Sequence, residues 1–411
     1  MKFALASCGT RGDVEPCAAV GLELQRRGHD VLMAAPPDQL GFVEEMGLAA
    51  VPFGPPTGEI PDVFVTPWRI QEPIRPIRDA LAHVSQRWAE VGDTLRSLAD
   101  GADLLMTGVS YQEAAASVAE YYGIPLAAWH HVPMRPNGHL ISTVPAPLLR
   151  SGMRVTDWAQ WRLVKRAEDA QRRTLGLPAT TAPASRRMAE RGSLEMQAYD
   201  ALCFPGLAAE WSGRRPFVGA LTAELPTEFD DDVLSWVASG TPPIYFGFGS
   251  MPVKSPDDMV GTISAACAEL GERALICSGA SQVTVTPDPH RVKIVRAVSH
   301  AAVFPACRAV VHHGGAGTTA AGMRAGVPTL ILWVASDQPI WSAVVKRLEV
   351  GSGRRFSRVS QKTLVKDLRR ILTPRYQERS REVATRLTKA PASVAAAADL
   401  LEEAARGERA G

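Results

Sequence analysis

The segment AVVHHGGAGTTAAGMRAGVPTLIL (309–332) holds the densest chemistry in this 411-residue chain. An apolar run ends in His312 and His313, Gly314, Gly315 and Gly317 follow, and a small-residue stretch closes at Gly326. That order predicts a buried strand, a glycine turn and a helix whose N-terminus faces whatever lies above the turn. Unpaired N–H groups there carry roughly half a positive charge, which suits a phosphate. The glycines let the backbone approach a pyrophosphate, and Thr318 adds a hydroxyl donor. His313 can donate to a phosphate oxygen and stabilise a departing diphosphate. His312 is read as the structural member of the pair. The next strand ends in VASDQP (334–339), which rises from the same sheet edge. Asp337 beside Gln338 offers acceptors and one donor group to the hydroxyls of a sugar.

A second constellation lies near the other end, in GTRGDVEP (9–16). Asp13 is the carboxylate best placed for general-base work, and it also stands where a residue would cap the following helix. Arg11 on the same turn suits a phosphate, with Thr10 as an assistant. The spacing is neither the dinucleotide GxGxxG nor a P-loop. Asp230–Asp232, in a polar stretch, is read as a solvated acidic turn and not as a metal site. Cys8, Cys17, Cys203, Cys267, Cys277 and Cys307 lack CxxC or Cys/His metal spacing. They are expected to be free thiols in a reducing compartment, and no metal is expected.

Positioning these loops requires strands that alternate with helices. The first half reads as strand 3–7, helix Cys17–Arg27, strand 30–37, strand 102–108, helix Tyr111–Tyr122 and strand 124–131. The second half repeats the theme with strand 242–250, helix Met259–Leu270, strands 273–279 and 292–298, and a short helix around Ala301–Ala306. The expected fold class is therefore α/β, with two doubly wound parallel sheets. The expected boundaries are a first domain at 1–213, a linker at 214–226, a second domain at 227–385 and a helical tail at 386–411. Residues 53–80 and the start of 131–165 read as long loops. The basic stretch from Arg354 to Arg370 reads as a solvated helix face.

Apolar residues make up 46% of the chain and charged residues 21%, with a net charge of +2. That composition builds globular cores and leaves no electrostatic footprint for nucleic acid. No apolar run approaches the ~20 residues needed to span a bilayer, and a strand opens the chain where a signal peptide would stand. The expectation is a cytoplasmic protein, with a peripheral position at the membrane left open.

HHGGAGT followed by DQP, with GTRGDVEP at the amino terminus, resembles the family-1 glycosyltransferases with the GT-B fold. The likeness is greatest to the actinobacterial branch that decorates glycopeptide antibiotics and mycobacterial glycolipids and glycopeptidolipids. It runs over most of the chain, from Met1 to about Thr385. It implies two Rossmann-like domains facing a cleft, with the donor held by the second and the acceptor by the first. It also implies an inverting transfer with no metal and no cofactor, the nucleotide-sugar being a co-substrate. By motif, His313, Gly315, Gly317 and Thr318 hold the pyrophosphate, and Asp337 and Gln338 hold the donor sugar. Ser250 of GFGS lies near the phosphates, and the backbone near Val298 in RAVSH (296–300) meets the base. For Asp13 the resemblance favours the catalytic base over the cap. Plant members carry a ribose-binding Glu where this chain has Ala321, a difference that fits a dTDP-sugar and is compatible with a UDP-sugar.

On the acceptor side, Phe64, Trp68, Trp129, Met134, Trp158 and Trp161 lie in or beside the long first-domain segments. They are expected to line a groove for an apolar lipid, peptidolipid or natural-product acceptor. The resemblance adds a hexose or a deoxyhexose such as rhamnose as the sugar. Two other readings stay open at this point: a non-catalytic nucleotide-sugar-binding protein and a sugar-nucleotide epimerase of similar architecture.

Overall fold

The strands LLMT at Leu104–Thr107 and AVVH at Ala309–His312 are buried along their whole length. Burial on both faces demands helices above and below, a demand that parallel strands joined by crossover helices meet. The structure, a computed structural model, describes residues 1–59, 75–249, 255–279 and 281–407. It contains two six-stranded sheets whose strand pairings are all parallel. The chain divides into two compact units, Met1–Ala223 with Thr388–Gly411, and Glu224–Leu387.

The first unit runs β1 (Lys2–Ala6), α1 (Arg11–Arg26), β2 (Asp30–Ala35), α2 (Leu40–Glu45), β3 (Ala49–Pro52) and α3 (Arg75–Ala99). It continues with β4 (Leu104–Thr107), α4 (Gln112–Tyr122), β5 (Leu126–His130), α5 (Ala146–Thr174), α6 (Ala184–Glu190), β6 (Leu194–Gln197) and α7 (Leu207–Trp211). Its sheet order is β3-β2-β1-β4-β5-β6. The second unit opens with α8 (Asp230–Ala238), β7 (Ile244–Gly247), α9 (Pro256–Leu270), β8 (Ala274–Cys277), β9 (Val292–Val295) and α10 (His300–Val303). Then come β10 (Ala309–His312), α11 (Ala316–Arg324), β11 (Thr329–Trp333), α12 (Gln338–Arg347), β12 (Gly351–Arg355), α13 (Gln361–Ile371) and α14 (Pro374–Ala384). Its order, β12-β11-β10-β7-β8-β9, is the same winding. Strand order reverses between β1 and β4 in one sheet and between β7 and β10 in the other.

Several elements differ from expectation. Helix α1 begins at Arg11, so Asp13 lies inside its first turn. The start of 131–165 is irregular as expected, but helix α5 takes over from Ala146, and α3 begins before residue 80. In α5, the exposed Leu148, Val155 and Trp158 blur the apolar stripe by which a helix is read. The basic stretch is not a single solvated helix face. Arg354 and Arg355 sit on β12, and Arg354 grips Asp367 through two bonds of 2.5 and 3.0 Å.

The last helix, α15 (Ala390–Ala405), belongs to the first unit. Its entry is pinned where Asp200 Oδ1 accepts from the Thr388 amide and hydroxyl, at 2.8 and 2.7 Å. Farther along, Glu402 Oε1 meets His29 Nε2 at 2.8 Å and Arg27 at 3.3 Å, both at the end of α1. Burial works to raise the Glu402 pKa, but the His29 and Arg27 bonds overcome it and hold the carboxyl below its ordinary value. The stabilisation this gives is present above the unfolded value of 4.5 and is lost as pH falls through the depressed folded value. Glu402→Gln is accordingly expected to cost about 1 kcal/mol at pH 7. Urea unfolding at stepped pH should show that difference shrinking under acid conditions; a difference independent of pH would remove the charge from the explanation.

Candidate functional site

In doubly wound sheets the crevice lies outside the carboxyl ends of the strands where their order reverses. Both motif loops leave from those points: Gly9–Asp13 follows β1, and His313–Gly317 follows β10.

In the second unit, His312 ends β10 paired with Gly247 of β7 and fully buried. Its Nδ1 accepts the Gly314 amide at 3.0 Å, which holds the turn. Burial, aided by His313 and His300, keeps its pKa well below the usual histidine range, so the ring is neutral. Gly314 has φ +103, and a Cβ there would stand 2.7 Å from Ile331 Cγ2 and 3.1 Å from Gln338 Cβ. No larger residue fits. Gly315 is the N-cap of α11, which has no side-chain cap and no acidic residue in its first turn. The first N–H groups of that helix, including those of Gly317 and Thr318, have no intrahelical partner.

The His313 ring is wedged against glycine backbone. A Cβ on Gly249 would lie 2.9 Å from its Cε1, and one on Gly315 would lie 2.7 Å from its Nε2. Its Nδ1 is buried with no hydrogen-bond partner among the described residues. Burial lowers its pKa, and Asp337 pulls the other way, so the structure brings these two side chains within electrostatic reach. Asp337 is the N-cap of α12, following Ser336 in the left-handed region at φ 57. Gln338 differs from expectation. Its Oε1 accepts from the Val334 and Ala335 amides at 2.7 and 3.2 Å, so the oxygen is used within the loop and its amide nitrogen is the end left to offer a ligand.

Val298 turns its side chain into a cluster with Tyr245 and Phe304, leaving backbone as the part able to meet a ligand. The neighbouring Ser299 amide donates to Asp230 Oδ1 at 2.8 Å. Asp230 also accepts from the Thr227 amide and hydroxyl, both at 2.7 Å, and is buried. The solvated acidic turn expected at 230–232 is thus corrected at Asp230, which holds the 298–300 segment in place. The signal was present as Thr227-x-x-Asp230, the spacing of a helix start. Ser250 lies outside the described residues.

In the first unit, Asp13 Oδ2 accepts from the Thr10 amide at 2.8 Å and the Thr10 hydroxyl at 3.2 Å. Ser7 Oγ donates to the Asp13 carbonyl at 2.7 Å. Gly9, at φ +143, leaves room for the carboxylate, because a Cβ would run into Asp13 itself. The N-cap is therefore Thr10, and Asp13 is the N3 member of its capping box. Arg11 is exposed, bonded to Glu15 at 3.1 Å and stacked 4.3 Å over the Phe42 ring. Beside this turn, Tyr111 opens α4 in the left-handed region at φ 60 and packs edge-on against Phe53 and Trp88. Nothing in the sequence marked that strained tyrosine.

The acceptor-side aromatics separate into two groups. Trp129 and Trp161 are corrected to core residues: Trp129 is fully buried in β5, and Trp161 is buried with Nε1 on Thr180 Oγ1 at 3.4 Å. Met134 and Trp158 are exposed. Trp68 and Phe64 lie outside the described residues.

Residues 3–119 match the glycosyltransferase family 28 N-terminal domain, and residues 265–403 match the C-terminal domain of erythromycin biosynthesis protein CIII-like proteins. An uncharacterized glycosyltransferase of Mycobacterium tuberculosis (strain ATCC 25618 / H37Rv) is 63% identical over 414 residues, covering 100% of both chains. Among solved structures, glycosyltransferase VinC in complex with dTDP superposes with a TM-score of 0.68 at 17% identity, covering 99% of this chain and 100% of its own. Spinosyn rhamnosyltransferase SpnG gives a TM-score of 0.69 at 16% identity, covering 97% and 100%.

The two histidines should respond differently to truncation. His313→Ala is expected to weaken nucleoside-diphosphate binding tenfold or more in titration calorimetry. His312→Ala should instead cost about 2–4 kcal/mol in urea unfolding, because it empties a buried site and orphans the Gly314 amide. Unchanged affinity in the first variant would remove His313 from the site.

Proposed function

The chain belongs to the family-1 glycosyltransferases with the GT-B fold, and on that premise we propose that it transfers a hexose or deoxyhexose from a dTDP- or UDP-sugar to a hydroxyl of an apolar acceptor. The observation that carries the donor side is the uncapped N-terminus of α11 with His313 wedged beside it, at the switch point of the second sheet. The N–H groups of Gly315, Gly317 and Thr318, the Thr318 hydroxyl and the His313 ring N–H meet the diphosphate. They hold more tightly as its charge grows on departure, so they lower the barrier as well as bind. Asp337 and the Gln338 amide nitrogen take the sugar hydroxyls. Backbone at Val298 meets the base, and Ser250 stands near the phosphates. These donors supply the charge stabilisation that a metal would otherwise give, so we propose that transfer needs no metal.

Asp13 is the general base. Its carboxylate takes the acceptor proton as the acceptor oxygen attacks the anomeric carbon, and the bond to the diphosphate breaks on the opposite face, which inverts the configuration. The two Thr10 bonds to Oδ2 orient the carboxylate for this work. Arg11 is the cation we assign to the pyrophosphate. The spinosyn relative acts as a rhamnosyltransferase and VinC was solved with dTDP; both support a thymidine-linked deoxysugar here, as does Ala321. For the acceptor we propose a lipid, peptidolipid or natural-product aglycone, with Met134 and Trp68 on that side. Trp158 stands on a convex helix surface of a different character. We place the enzyme in the cytoplasm.

Two measurements test this reading. Asp13→Ala should lower transfer by a factor of about 10²–10⁴ while the affinity for nucleoside diphosphate stays within about twofold. The lost cap should cost about 1 kcal/mol, which alone would leave turnover intact, so full activity would reduce Asp13 to a cap. Thermal melting with dTDP, UDP and GDP in the presence of chelator should show a selective shift of several degrees, since a ligand at a hundred times its Kd adds about 2.7 kcal/mol. A shift that appears only when a divalent cation is restored would end the metal-free proposal.

A further inference from the structure

Helix α5 turns a long face to solvent. Leu148, Val155, Trp158 and Leu163 on it are 67%, 65%, 53% and 49% exposed, unusual for side chains of this size. Leu148, Val155, Arg162 and Arg166 follow one another at spacings of seven, seven and four residues, and so form one stripe about 27 Å long at ~1.5 Å per residue. Trp158 and Leu163 flank that stripe, and the Arg162 guanidinium lies 5.8 Å from the Trp158 ring.

Part of the positive charge on the helix is already neutralised. Arg150, Lys165 and Arg172 each hold a carboxylate, those of Glu210, Asp169 and Glu120, at 2.5, 2.5 and 2.8 Å. Arg162 and Arg166 are exposed and form no ion pair among the described residues. The acidic residues of the helix are occupied elsewhere: Asp157 accepts Ser185 Oγ at 2.6 Å, Glu168 takes Arg187, and Asp169 takes Lys165 and Thr180. The stripe therefore combines apolar bulk with uncompensated positive charge and carries no negative charge.

We propose that this face is a docking surface for an anionic lipid bilayer, with α5 lying in the plane of the headgroups. Apolar side chains among cations, on a helix too polar to span, is the pattern of an interfacial helix, and no helix among the described residues is long and apolar enough to cross a membrane. A second copy of the chain is a poorer occupant, because a two-fold pairing of this stripe would bury its arginines with no carboxylate facing them. A convex helix surface also cannot enclose a small apolar acceptor. The inference does not depend on which acceptor the enzyme uses.

The test is co-sedimentation of the full chain with vesicles of phosphatidylcholine alone and of equimolar phosphatidylcholine and phosphatidylglycerol. Binding is expected to the mixed vesicles and to weaken as salt rises. Arg162→Glu with Arg166→Glu should reduce partitioning at least tenfold, at about fivefold for each cation removed. Val155→Ser with Trp158→Ser should reduce it several-fold. All four positions are exposed, so melting temperatures should stay near that of the parent chain. The proposal falls if both vesicle types bind equally or neither binds, or if the variants sediment like the parent. It also falls if light scattering shows a lipid-free dimer that the substitutions dissociate, since a second copy would then cover the face.

Discussion

Parallel pairing of β1 with β4 and of β7 with β10 is the constraint on which the rest of this protein depends. Parallel strands all deliver their carboxyl ends to one edge, and at these two pairs the crossovers on either side lead away in opposite directions. A crevice opens at each point with no helix laid across it. Each crevice receives the loop richest in chemistry: Gly9–Asp13 in the first unit, His313–Gly317 in the second. The position of the chemistry therefore follows from strand order before any side chain is considered.

Within the second crevice, glycine and histidine divide the work. Gly314 permits a turn that any Cβ would block against Ile331, and buried neutral His312 ties the turn by accepting the Gly314 amide. That leaves the first N–H groups of α11 for a ligand and no like charge in the first turn to oppose an anion. The loop at 298–300 is held by a different device, the buried Asp230 carboxylate accepting a distant amide. Such a carboxylate, once its donors are in place, is costly to disturb and so keeps backbone in a defined position.

In the proposed function, Asp13 joins a place in the capping box of α1 to the role of general base. A carboxylate that receives the Thr10 amide and hydroxyl on Oδ2 has its orientation set by the fold, the condition a general base requires. In the same unit, α5 combines a packed side, where Trp161 and the Arg172–Glu120 pair lie, with an outer side whose apolar and cationic residues contribute nothing to the core.

The amino-acid sequence by itself determined the α/β class, the repeated doubly wound pattern, the glycine turn after β10 and the carboxylate after β1. These rest on local physics: apolar strands, glycine stops and helix-start residues act over a few positions and can be read in order along the chain. Strands β3, β6 and β12 escaped that reading because AAVP, LEMQ and GSGRR carry no run of large apolar residues. Helix α5 escaped because the residues that stand out in it are the exposed ones. Only the tertiary structure decided that Trp129 and Trp161 are core, that the Gln338 oxygen is used within its own loop and that Asp230 holds Ser299 across sixty-nine residues. Burial and long-range hydrogen bonding depend on what the rest of the chain places nearby, and sequence spacing carries no record of that.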